Sequence, residues 1–98
     1  IISGGVNVYP QEVENCLALH PAVLDVAVIG VPDDDLGEAV TAFVSTPAET
    51  AASPELGREL IAYTRARIAH YKCPREVRFV AEVPRTPAGK LAKHRLRF

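Results

Sequence analysis

The spacing of apolar residues changes along the chain, and each change marks an element. Val13, Cys16, Leu17 and His20 fall at i, i+3, i+4 and i+7, one face of a helix. Pro10 suits its first turn, Glu12 and Glu14 favour a helix N-terminus, and Pro21 closes it, which predicts a helix over 10–20. Residues 23–31 are β-branched and apolar at nearly every position, the pattern of a strand covered on both faces. A polar turn, Pro32 to Gly37, leads to a second strand over 39–46, antiparallel to the first. Ser53 and Pro54 start a helix whose apolar face is Leu56, Leu60, Ile61, Thr64 and Ile68, spanning about 54–69. Val77, Phe79, Ala81 and Val83 alternate with polar residues and predict a third strand over 76–82. A short extended segment at 6–8 and a short basic helix at 91–96 complete the expectation. It is an α+β domain with a small antiparallel three-stranded sheet and no internal repeat.

Ninety-eight residues fit one small domain, and 48% apolar content is enough for a core. The chain lacks methionine and opens Ile1-Ile2-Ser3-Gly4-Gly5, so it reads as a piece of a longer protein. No apolar run is long enough to span a bilayer. Cys16 and Cys73 have no CxxC spacing, for which a reduced, cytoplasmic setting is the simplest expectation. Asp33-Asp34-Asp35 lacks the alternate spacing of a calcium loop, and His20, His70 and His94 lack ligand spacing, so no metal site is expected. Net charge is −1, yet residues 1–49 hold eight acidic side chains and no Lys or Arg, while residues 50–98 hold all eleven Lys/Arg and four acids. Such a split suits either a face for anionic ligands or two halves that pair with each other.

Candidate chemistry concentrates in Pro84-Arg85-Thr86-Pro87-Ala88-Gly89-Lys90, a stiff loop that presents one lysine. It is not a phosphate-binding GxxxxGK[ST] loop, because Pro84 stands at the first glycine and Leu91 follows the lysine. On spacing alone, Lys90 reads as a solvated residue of a basic tail.

Two separated segments alter that reading. Ile1-Ile2-Ser3-Gly4-Gly5-Val6-Asn7-Val8-Tyr9-Pro10-Gln11-Glu12-Val13-Glu14 and Val83-Pro84-Arg85-Thr86-Pro87-Ala88-Gly89-Lys90-Leu91 resemble two motifs of the adenylate-forming superfamily. That group includes acyl-CoA synthetases, peptide-synthetase adenylation domains and beetle luciferases. Ala27-Val28-Ile29-Gly30-Val31-Pro32-Asp33 and Tyr71-Lys72-Cys73-Pro74 stand between them in the same order. The resemblance covers essentially the whole chain and corresponds to the C-terminal lid domain.

The resemblance implies a lid that serves two steps: a carboxylate and ATP form an acyl adenylate, then the thiol of CoA displaces AMP. Lys90 matches the adenylation lysine, with Arg85, Thr86 and Gly89 shaping its loop. Ser3, Gly4 and Gly5 match a segment facing the pantetheine arm, and Tyr71, Lys72 and Cys73 fall where relatives meet the nucleotide end of CoA. The implied hinge, and the large N-terminal domain that binds ATP, Mg²⁺ and the carboxylic acid, lie outside residues 1–98, so the chain alone is expected to be inactive. A lysine acetyltransferase acting on Lys90 is a further implied partner. Two rivals remain at this level: a lid that loads a carrier-protein pantetheine, and a non-enzymatic basic module in which Lys90, Lys93, Arg95 and Arg97 meet nucleic acid or membrane. The tail has no aromatic stacking platform before Phe98, which disfavours the nucleic-acid version.

Overall fold

The computed structural model describes residues 1–96 and shows an α+β domain. Strands β1 (Ile2–Ser3) and β2 (Val6–Asn7) form a small antiparallel hairpin. Helix α1 (Pro10–Leu17) follows, then a long antiparallel pair, β3 (Asp25–Asp33) and β4 (Gly37–Ser45). Helix α2 (Pro54–Arg65) and strand β5 (Glu76–Phe79) complete the regular elements, with 3-10 turns at His70–Lys72 and Lys93–Arg95.

β4 is central. One edge pairs with β3; the other carries β1 at Gly37 and β5 at residues 41–44. β5 runs parallel to β4, which corrects the expectation of a purely antiparallel sheet. The connection contains the whole of α2, and a helical crossover returns the chain to the end of the sheet where β4 began. The extra hairpin raises the sheet to five strands.

Other boundaries moved for local reasons. α1 stops at Leu17 instead of residue 20, because Leu19 and His20 donate to Cys16 and Leu17 in tight i→i−3 turns ahead of Pro21. α2 likewise ends at Arg65, not 69, with Arg67 donating to the Thr64 carbonyl. The short helix expected at 91–96 is instead an isolated bridge, Arg85↔Leu91, followed by the Lys93–Arg95 turn. Six residues are too few to hold a helix against such tertiary pairing. Arg97 and Phe98, invoked for the basic-tail rival, lie outside the described residues.

Both sheet faces are covered, which explains the near-continuous apolar run of β3. Val26, Val28, Val40, Ala42 and Val44 pack beneath α1 and α2 with Val13, Leu17 and Leu60. Ala27 and Phe43 face the other way, against Val83 and Leu96 of the C-terminal segment. That segment, which carries Lys90, is therefore the second layer of the fold. Cys16 and Cys73 are free and buried, and burial pushes the Cys16 thiol up from its ordinary pKa. The Asp33 carboxylate accepts from the Asp35 and Leu36 amides and closes the β3–β4 turn, with Gly37 at φ +81°. Among the described residues no helix is long and apolar enough to cross a membrane.

Candidate functional site

Lys90 sits at the end of a tight hairpin. The Gly89 amide donates to the Thr86 carbonyl at 2.8 Å, and the Thr86 amide donates to the Lys90 carbonyl at 2.7 Å. Pro87 takes the position where its fixed φ is favourable, and Gly89 adopts φ +85°, which a side chain would resist. The Thr86 hydroxyl accepts from the Lys90 amide at 3.2 Å, and the Ala92 amide donates to Pro84 at the base. Bonds at Thr86 and the conformation of Gly89 thus hold the loop's shape. The Lys90 side chain is exposed, and its ammonium makes no hydrogen bond or ion pair among the described residues.

An open groove of about 450 Å³ lies beside it, and its ionisable lining is Glu14, Asp25, Arg85, Lys90 and Lys93. Arg85 grips Asp25 with two parallel bonds, Nε to Oδ2 at 2.8 Å and Nη2 to Oδ1 at 2.7 Å, and its Nη1 donates to the Gly89 carbonyl at 2.6 Å. The bonds from Arg85 hold the Asp25 carboxyl below the usual carboxylate range and raise the Arg85 pKa in turn. Lys93 reaches the Glu14 carboxylate at 2.9 Å and the Val28 carbonyl at 2.9 Å. Glu14, only 8% exposed, also accepts from the Val28 amide at 2.8 Å. The pair caps the outward N–H and C=O of edge strand β3 and ties the C-terminal layer to α1. Pro32, an even number of positions along β3, puts its missing N–H on that same outer edge, where no ladder bond is lost.

Because Asp25 titrates below its unfolded value, the Arg85–Asp25 pair stabilises the fold fully above about pH 4 and loses its contribution as pH falls through the lowered pKa. Both partners are partly exposed, so the contribution is under about 1 kcal/mol. Thermal melts of the chain and of its Asp25→Asn variant should therefore differ at pH 7 and converge as pH falls through the lowered Asp25 pKa. A constant difference at every pH would show that the pair's charge is irrelevant.

The glycine turn expected to face pantetheine lies elsewhere. Ser3 pairs with Gly37, and the Gly4 amide donates to Leu36. Gly4 and Gly5 have φ +58° and +78°, and a Cβ built on Gly5 would meet nothing within 4 Å. Tyr71 and Lys72 occupy the 3-10 turn after α2; Tyr71 is exposed, and Lys72 is held 3.0 Å from Glu12 of α1, which raises its pKa. Cys73 is 4% exposed, its thiol 3.5 Å from the Ala69 carbonyl, so it packs inward instead of presenting sulfur to a ligand. Glu12 ties the Lys72 turn to the helix that follows the glycine hairpin, and the Arg75 amide bonds Val40 near the start of β4.

The Lys90 loop and the glycine turn thus lie at opposite ends of the β3–β4 ladder. Arg85 holds the Lys90 loop at Asp25, paired with Ser45; the glycine turn abuts Gly37, paired with Asp33. At ~3.4 Å per residue the ladder separates them by about 27 Å. Spacing did not expose Asp25, Glu14 or Lys93 as parts of the Lys90 groove. The acid-first, base-last charge split was their signal, since in this groove the two halves pair across the domain.

Comparison with known proteins places this geometry in context. The family model described as the AMP-binding enzyme C-terminal domain matches residues 12–90. A 3-[(3aS,4S,7aS)-7a-methyl-1,5-dioxo-octahydro-1H-inden-4-yl]propanoyl:CoA ligase of Mycobacterium tuberculosis is 52% identical over 99 residues, covering 98% of this chain and 18% of its own length. The crystal structure of a Brucella canis acyl-CoA synthetase superposes with a TM-score of 0.90 at 40% identity, over 95% of this chain and 17% of that one. Amide bond synthetase McbA from Marinactinospora thermotolerans superposes at 0.84 with 44% identity, over 96% of this chain and 18% of that one. The chain spans 17–18% of the length of the first curated relatives it matches.

Proposed function

Because this chain belongs to the family of AMP-binding enzyme C-terminal domains, we propose that it is the mobile lid of an ATP-dependent acyl-CoA synthetase, inactive by itself, with Lys90 as the adenylation lysine. In the first step a carboxylate oxygen attacks the α-phosphorus of ATP and pyrophosphate leaves. In the second the CoA thiol attacks the acyl carbon and AMP leaves. The observation that carries this reading is the separation of two unlike surfaces on one rigid ladder. One end offers an ammonium with no partner among the described residues, on a braced hairpin, suited to a site where two anions must meet and charge builds on phosphoryl oxygens. The other offers a side-chain-free turn that a slender pantetheine arm can approach closely. A domain with both needs to turn about its hinge to bring each to the same centre in succession.

In this reading Mg²⁺, ATP and the carboxylic acid are bound mainly by the large N-terminal domain. Tyr71 remains a candidate contact for the CoA nucleotide; Lys72 reaches it only by leaving Glu12, and Cys73 contributes packing. A cytoplasmic setting and modification of Lys90 by a lysine acetyltransferase complete the reading; the exposed amine is accessible, and acetylation removes the charge. Of the basic-module rival's residues Lys90, Lys93, Arg95 and Arg97, Lys93 is committed to Glu14 and Arg97 lies outside the described residues, so that reading has less support.

The test is Gly5→Val in the full-length enzyme. The substitution adds bulk and strains a positive φ at the proposed thiol end only. Thioester formation from supplied acyl adenylate should slow at least about tenfold while pyrophosphate exchange persists. If thioester formation is unaffected, the hairpin is not on the thiol's path.

A further inference from the structure

The groove beside Lys90 contains two carboxylates, Asp25 and Glu14, and either is a natural partner for a nearby ammonium. Yet each is occupied by a different cation, Asp25 by Arg85 and Glu14 by Lys93, while Lys90 is left without a partner among the described residues. The planar guanidinium fork matches both Asp25 oxygens at once, which an ammonium does not. A third Arg85 donor, on the Gly89 carbonyl, anchors the fork to the hairpin itself. Asp25, at the start of β3, was not among the residues that the motif singled out.

Resting on the assignment of Lys90 as the adenylation lysine, we propose that Arg85 is a positioning residue that works by occupying Asp25, which would otherwise capture the Lys90 ammonium and withhold it from the reacting anions. Arg85 thereby does more than brace a turn. It removes the competing anion from the groove and leaves a net positive charge on the side chain that must move to the substrate. The usual alternative, a purely structural latch, makes Asp25 an asset, because Asp25 would hold the arginine that holds the loop. Occupation of a competitor makes Asp25 a liability once Arg85 is gone. The two roles predict opposite behaviour in a double substitution.

The experiment uses the full-length enzyme and follows pyrophosphate exchange, with thioester formation from supplied acyl adenylate as the control for folding. Arg85→Gln should lower exchange roughly tenfold and spare the thioester step. Asp25→Asn alone should leave exchange within about twofold of the parent, and Asp25→Asn/Arg85→Gln should recover to within about threefold of Asp25→Asn. A double variant as slow as Arg85→Gln overturns the proposal, as does a tenfold loss from Asp25→Asn alone. If Arg85→Gln also abolishes the thioester step, Arg85→Lys replaces it. Its partial loss must then be relieved by adding Asp25→Asn, and persistence of the loss overturns the proposal. Lys90→Ala run in parallel separates the two levels. Exchange that ignores Lys90→Ala removes the adenylation reading and this inference with it, whereas exchange lost in Lys90→Ala but not rescued in the double variant removes this inference alone.

Discussion

Replacing Lys90 with alanine in the full-length enzyme should reduce pyrophosphate exchange at least ~100-fold and leave thioester release from supplied acyl adenylate largely intact. The size follows from the role. A preorganised donor aimed at charge that develops in a transition state is worth about 3 kcal/mol when removed. The structure supplies the preorganisation: the Thr86–Gly89 turn and the Arg85↔Leu91 backbone bridge fix the backbone from which Lys90 projects. The selectivity follows from the distance, since the glycine turn at the other end of the ladder is untouched by the substitution. Acetylation of Lys90 should reproduce the loss, and deacetylation should reverse it, because both act on the charge alone. Equal survival of both half-reactions in Lys90→Ala would return Lys90 to the status of a solvated surface lysine.

Much of the fold was legible because its signals are local. Ser53 does accept from the Leu56 amide as an N-cap, with Pro54 just inside α2, and the two long strands fall within two residues of their expected limits. The direction of β5 was not local information. Its alternating residues are compatible with either direction, and the choice was made by the crossover through α2. The short basic helix failed for a similar reason: Leu91 and Lys93 had better partners in Arg85, Glu14 and Val28 than in their own neighbours. The site shows the same division. Gly89-Lys90 stands out locally on its Pro-rich loop, and Gly4-Gly5 only through the resemblance, although glycines in both turns adopt positive φ. Glu14 read as a helix-start acid, although its carboxylate is buried against β3; an acid in the first turns of a helix has the same appearance in both cases. Asp25 and Arg85 lie 60 positions apart, and only the folded chain joins them.

Phe43→Ala should destabilise the domain by about 3–5 kcal/mol, the usual loss for a buried phenylalanine and a large share of the ~5–15 kcal/mol available to a domain. The expected fall in melting temperature is roughly 15–30 °C for a chain of this size. Phe43 is 1% exposed and sits on the face covered by Val83 and Leu96, with Val80 and Leu91 packed around them. Its cavity therefore opens beneath the segment that carries Lys90, not beneath the helices. Leu60→Ala provides the matched control, since Leu60 is equally buried on the helical face with Val28, Val40 and Val44 and should cost about 2–5 kcal/mol. Hydrogen exchange under native conditions separates the two. The Thr86 and Ala92 amides, which bond the Lys90 and Pro84 carbonyls, should lose protection far more in Phe43→Ala than in Leu60→Ala. That outcome would make the Lys90 hairpin a separately opening layer whose geometry depends on one aromatic ring. Equal loss of protection in both variants would mean that the two faces of the sheet open together, and that the hairpin is only as stable as the whole domain.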